Sequence, residues 1–282
     1  MADNGRGYGR LLLIITLAIG IFILYYSTFV WLVQSWMTNP FYSHGFLVPV
    51  ISGFFLWRAC TGTVDDQGET HQENSHIWWI LVFGGIALYL AGILTASGVL
   101  SSISLIVLLA GIFYGLLGPR IGRRCVVPLL FLVFAIPFPG INSFATTLAA
   151  FSATATTYLL QFAGFPVTSN GADIILPGVS LSIGIPCSGL MVLISLLLMV
   201  SILVYIIDCS LKRKVLVFFM AIPLAFAANS ARITLIVTMA YYFGEEVALG
   251  FFHTAYGLFI PLVSFLCLLM IIYLTGCLKF RI

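Results

Sequence analysis

Charge is what this sequence has least of. Only 7% of its 282 residues are Asp, Glu, Lys or Arg, where a soluble domain carries roughly 25%. Hydrophobic residues make up 61%, and the mean hydropathy is +1.15. Water could not hold such a surface in solution, so lipid must be the solvent. The net charge of +3, from 12 basic and 9 acidic residues, is too small and too dispersed for a nucleic-acid partner. Motifs for metals and cofactors are also missing. The chain has no HExxH, CxxC or paired-carboxylate pattern, no GxGxxG, no nucleotide loop and no haem motif, so no metal or cofactor is expected. His71 and His76 stand in a polar loop, and Gly118 to Arg124 reads as a topology signal rather than a phosphate cradle.

What is there is a succession of long apolar runs. A membrane-crossing helix needs about 20 predominantly apolar residues. The runs predict an all-α, polytopic integral membrane bundle of about eight spans, forming one transmembrane domain over 1–282. The spans fall at roughly 11–33, 44–58, 77–96, 100–118, 125–139, 186–207, 215–243 and 256–277. The first run is longer than the roughly 7–15 residues of a signal-peptide core, and is read as a retained span. Residues 141–163, rich in Thr, Ser and Ala, are less apolar and suit an interfacial helix or a half-span packed on protein. Residues 164–185 differ again. Asn170-Gly171 and Pro177-Gly178 separate short β-favouring runs, which predicts a small outer-face hairpin, with an irregular loop as the alternative.

Lysine and arginine set the orientation. Arg6 and Arg10, Arg58, Arg120 with Arg123 and Arg124, Lys212 to Lys214, and Lys279 with Arg281 all fall on one side if 141–163 does not cross. That side is the cytoplasm. The opposite, outer face then holds residues 164–185, Glu245, Glu246, His44 and His253. Of the six cysteines, Cys60, Cys125, Cys209 and Cys277 fall near the cytoplasmic face, and Cys267 lies mid-span. Only Cys187 is placed near the outer face, with no evident disulfide partner there.

Four positions look out of place for mere packing. Cys187 lies in IPCSGL, where Pro186 suits the first turn of a helix and would set the thiol at its positive end. Arg232, in FAANSARITLIV, stands about 26 Å along its helix counted from Val215. An arginine there costs at least about 2.5–3.5 kcal/mol unless it faces protein or water. Asn229, three residues earlier, shares its helix face and either orients Arg232 or satisfies a backbone group. His253 opens the last span. A thiol nucleophile needs a base, and an acyl intermediate needs a donor for its oxyanion. His253 can supply the first and Arg232 the second. His44, in YSHGFLVP, is a supporting candidate. Ser188 is an alternative hydroxyl nucleophile without an evident Asp-oriented histidine. The ordinary readings are a buried small residue for Cys187, a snorkelling side chain for Arg232 and interfacial histidines. Asp173, Glu245 and Glu246 read as surface or substrate-contact charges.

Together these segments resemble the exosortase/archaeosortase family of membrane cysteine transpeptidases and proteases. The resemblance rests on YSHGFLVP followed by WR, AIPFPG, PCSGL, NSARI, and His253 followed by Gly257, in that order along most of the chain. It implies a thiol enzyme for protein sorting in the cell membrane, a bacterial inner membrane or an archaeal plasma membrane, with its active site at the outer face. The implied partners are secreted proteins carrying a C-terminal motif, a hydrophobic span and a basic tail, together with membrane lipids and a lipid or glycan acceptor. By carry-over Cys187, Arg232 and His253 are catalytic, with His44, Asn229 and Ser188 supporting. Two other classes compete. One is a transporter or channel with Arg232 as its anion-binding residue. The other is a structural subunit of a polysaccharide export system. A protease releasing its substrate to water would share the chemistry without the transfer.

Overall fold

The computed structural model describes residues 2–61, 76–248, 250 and 253–277, with the backbone alone for 2–8, 10–11 and 253–258. Arg6, Arg10 and His253 are thus placed by backbone only, and His71, Lys279 and Arg281 lie outside the described residues. The chain divides into two compact units, Met1–Phe138 and Pro139–Ile282.

The first unit holds α1 (Ala2–Leu24), α2 (Tyr26–Thr38), a 3-10 segment (Pro40–Phe46), α3 (Leu47–Thr61), α4 (Ile77–Leu94) and α5 (Gly98–Phe131). The run expected as one straight span over 11–33 is instead two helices bent by 67°. The bend falls at Tyr25, which is fully buried. Its hydroxyl meets Ser104 Oγ at 3.0 Å, its ring lies 4.5 Å from that of Tyr89, and the Tyr89 hydroxyl donates to the Leu24 carbonyl. Tyrosine fixes the bend because its ring buries well while its hydroxyl needs a partner.

Helix α5 folds back on itself at Gly118, whose φ of +79° and ψ of 169° is a conformation essentially reserved for glycine. A straight helix would separate Ile106 from Leu129 by about 35 Å. Here both belong to one buried cluster, with Ile136. Residues 98–117 and 119–131 therefore form an antiparallel helical hairpin, with Arg120, Arg123 and Arg124 just after its turn. The segment then leaves the helix through a 3-10 turn, Leu132–Ala135. Three side chains of this unit hold the backbone there. Trp36 Nε1 donates to the Ala135 carbonyl at 2.7 Å, the Tyr42 hydroxyl accepts from Phe138 N–H at 3.0 Å, and His44 Nε2 lies 3.2 Å from the Phe134 carbonyl. Pro137 and Pro139 cannot continue a helix ladder, and the backbone groups left free beside them need such partners.

The second unit holds α6 (Ile141–Phe162), β1 (Thr168–Asn170), β2 (Asp173–Leu176), β3 (Val179–Ser182), a 3-10 turn (Ile185–Cys187), α7 (Leu190–Ile206), α8 (Leu211–Phe243), α9 (Glu245–Val247) and α10 (His253–Leu274). The hairpin or loop expected over 164–185 is a three-stranded antiparallel sheet in the order β1-β2-β3. Each turn has two loop residues, Gly171-Ala172 and Pro177-Gly178. The glycines take positive φ at the first and second loop positions respectively, as type II′ and type II turns require. Ile174, Leu176 and Leu181 of the sheet close over Ala149, Ala153 and Leu160 of α6 and Ile233, Ile236 and Val237 of α8. A second cluster packs Val192 and Leu196 of α7, Val217 and Ala221 of α8, and Leu268 and Ile272 of α10. Cys209 and Cys277, read separately in the sequence, are joined in a disulfide with Cα atoms 5.4 Å apart.

By length and apolarity, Ile77–Leu94 and Leu211–Phe243 can each cross a membrane, the folded Gly98–Ala135 segment carries a stretch long and apolar enough to do so, and the bent α1–α2 pair makes up to 4 candidates. The molecule is a helical membrane protein. The eight crossings expected from the sequence exceed what these helix lengths establish.

Candidate active site

Cys187, Ser188, Asn229 and Arg232 come together where the sheet hands the chain to α7. Pro186 does not start α7, as the sequence suggested. It is the middle residue of the 3-10 turn Ile185–Cys187, and α7 begins at Leu190. Gly189, between them, has φ of +88°, and a Cβ on it would lie 2.8 Å from the side-chain amide of Asn229. Conformation and space thus both demand glycine here, and the left-handed residue stops the helix from running back through Cys187. Cys187 is half-buried and in no disulfide.

That stop leaves the carbonyls of Cys187 and Ser188 outside the α7 ladder, whose next bond is Leu193 N–H to the Gly189 carbonyl. Both carbonyls are taken by side chains. Asn229 Nδ2 donates to the Cys187 carbonyl at 3.2 Å and to Ser152 Oγ at 3.2 Å. Ser152 Oγ in turn donates to the Ser188 carbonyl at 3.1 Å. A carbonyl only accepts, so the Asn229 amide must turn its nitrogen toward Cys187. Ser152, Ser188 and Asn229 are each 1% exposed. Of the two roles open to Asn229 in the sequence, the structure gives it backbone satisfaction.

Arg232 lies one turn further along α8. Its Nη2 stands 3.9 Å from Cys187 Sγ, while its buried Nε has no hydrogen-bond partner among the described residues. A guanidinium so placed can hold negative charge on the sulfur or on an oxygen formed beside it. The Ser188 hydroxyl is buried and accepts from Leu190 N–H at 3.3 Å, a serine turn just ahead of α7. His253 opens α10, whose body packs on α7 and α8. His44 belongs to the first unit, where it holds the Phe134 carbonyl. Asp173 is half-buried in β2, and Glu245 and Glu246 are exposed. Among the described residues no cluster of three or more His, Cys, Asp or Glu could hold a metal.

Sequence reasoning missed Ser152. The signal was available in the polarity of 141–163, which was read as a reason for that segment not to cross. Ser152 and Thr156 are almost wholly buried, Thr156 at 0% exposure, which agrees with a helix packed on protein. A hydroxyl in an Ala/Thr-rich helix says nothing by itself of where it points.

A family description, Transmembrane exosortase (Exosortase_EpsH), matches residues 36–270. The chain belongs to the transmembrane exosortase family. The match takes in His44, Ser152, Cys187, Asn229, Arg232 and His253. No curated protein and no solved structure matches the chain. Family membership and the apolar helices together assign an exosortase-like membrane protein with a role in protein sorting.

Proposed function

We propose that this exosortase-family protein is a membrane cysteine transpeptidase, cleaving the C-terminal sorting signals of secreted proteins near the outer face. The observation that carries the reading is the 3.9 Å approach of the Arg232 guanidinium to the Cys187 thiol, inside a turn whose backbone is fixed from two helices.

In the proposed reaction the Cys187 proton passes to His253, and the sulfur attacks the scissile carbonyl carbon. The carbonyl π pair moves to oxygen, where Arg232 balances the charge. The oxyanion collapses, the C–N bond breaks, and the amine leaves with the proton returned by His253. The products are a Cys187 thioester and the released membrane-spanning tail. A nucleophile on a lipid or glycan acceptor then attacks the thioester, loses its proton to His253, and the thiol is restored. Water in the acceptor's place would make the enzyme a protease. Asn229 and Ser188 support the turn, and His44 supports the proline segment of the first unit.

The eight-crossing scheme belongs to the same reading. The fold-back at Gly118 allows α5 to supply two crossings, and residues 141–163 lie between crossings. The basic loops then face the cytoplasm. Following cleavage of a tail-bearing secreted protein in membranes with wild type or Cys187→Ala tests the proposal, and the variant is expected to lose cleavage.

A further inference from the structure

We infer that Ser152 is a positioning residue for the nucleophile, acting through Asn229 and the Cys187–Ser188 backbone rather than on substrate. The inference deepens the cysteine-transpeptidase reading and rests on it for its rate measurement.

Four groups form a closed circuit. The Asn229 amide nitrogen spends one N–H on the Cys187 carbonyl and the other on Ser152 Oγ, and Ser152 spends its only hydrogen on the Ser188 carbonyl. Every hydrogen in the circuit has one destination. A hydroxyl is the group that suits this place, because it must accept from an amide and donate to a carbonyl at once. Alanine at 152 would leave the Ser188 carbonyl and one Asn229 N–H facing each other's absence in a buried site, and buried polar groups do not stay unpaired readily. The Asn229 amide would then be free to turn about its side-chain torsions, and its hold on the Cys187 carbonyl would be lost.

The consequence falls on the thiol because of how the turn is built. Cys187 is not within a helix that could hold it. Its own N–H bonds only three residues back, to Gly184 at 2.9 Å, and Gly189 beyond it is left-handed. The two carbonyl bonds, one from α8 and one from α6, therefore help to set the Sγ position relative to α8, together with the packing of Cys187 on the cluster under the sheet. Arg232 is on α8, so the same bonds set the Arg232–Cys187 separation. The α6 segment thereby contributes to chemistry carried by α7 and α8, through residues that touch no reacting atom.

The test compares Ser152→Ala, Asn229→Ala, their double variant and Leu160→Ala in full-length membrane-embedded enzyme. Leu160 is buried on the same helix, eight residues on, in the cluster under the sheet. Its truncation controls for loss of stability. Expected is a fall in kcat of about tenfold for Ser152→Ala per folded molecule, with KM changed less than twofold. Leu160→Ala should lower thermal stability at least as much and leave kcat per folded molecule unchanged. The double variant should be no slower than Asn229→Ala, because both changes open one circuit. Should Ser152→Ala not fold, Ser152→Cys, close in volume with a weaker donor, takes its place, with the same comparison and a smaller loss of kcat. A Ser152 variant within twofold of wild type overturns the inference. So does a loss shared equally with Leu160→Ala, or additive effects in the double variant. Alkylation of Cys187 by a small maleimide supplies a readout that needs no substrate. It should slow by several-fold in Ser152→Ala and be unchanged in Leu160→Ala. If Cys187→Ala still processes substrate, the transpeptidase reading fails, while the alkylation result still decides whether Ser152 positions the thiol.

Discussion

Cys187 and Arg232 stand 45 positions apart in the chain and 3.9 Å apart in space. Each was visible in the sequence because each is costly where it stands, a thiol beside a proline-glycine turn and a cation in an apolar helix. Asn229 was visible through its spacing from Arg232. What could not be read was the partner that completes them, since one serine among the alanines and threonines of α6 carries no mark of its direction. The charge of Arg232 beside the thiol has a direct consequence. Arg232→Ala should insert and fold yet process substrate at least about 10²-fold more slowly, the usual loss for a removed oxyanion donor. Rates taken at matched enzyme levels check this, and an unchanged rate removes Arg232 from the chemistry.

Elements were more legible than their breaks. Apolar runs located the helices, and the Asn-Gly and Pro-Gly pairs marked both turns of the sheet. The bend at Tyr25 was hidden, because it depends on Ser104 and Tyr89, far away in sequence. The start of α7 was misplaced because Pro186 suits a 3-10 turn as well as an α-helix, and Gly189 decides between them. Gly118 makes the two halves of α5 a hairpin, and its backbone conformation gives a stability expectation. Gly118→Ala should destabilise the protein by about 1–3 kcal/mol, the cost of a side chain in such a region. Melting of the purified protein in detergent measures it. An unshifted melting temperature would mean that the hairpin turn is not formed as described.

For the whole molecule, family and membrane location were legible from composition and motif order, and the match over residues 36–270 establishes the family. Orientation is where two signals disagree. Lys212, Arg213 and Lys214 mark the α7–α8 connection as cytoplasmic, yet Cys209 beside them is joined to Cys277. Disulfides seldom persist in the cytosol. The orientation proposed above therefore requires this pair to be a dithiol in growing cells. A membrane-permeant maleimide applied to acid-quenched cells should label both cysteines, and an impermeant one applied to intact cells should label neither. Finding the pair oxidised in the quenched cells would reverse the orientation and put Cys187 on the cytoplasmic side.

The proposed chemistry turns on Cys187 as the nucleophile of a sorting reaction. The most direct measurement co-expresses a tagged secreted protein bearing a sorting tail with wild type or Cys187→Ala at equal enzyme levels. The intact mass of the tagged product is then read. Tail loss with an added acceptor mass is expected in wild type, and the full-length substrate alone with Cys187→Ala. Equal processing by both would contradict it, and Arg232 would then be read as an anion site in a protein without thiol chemistry.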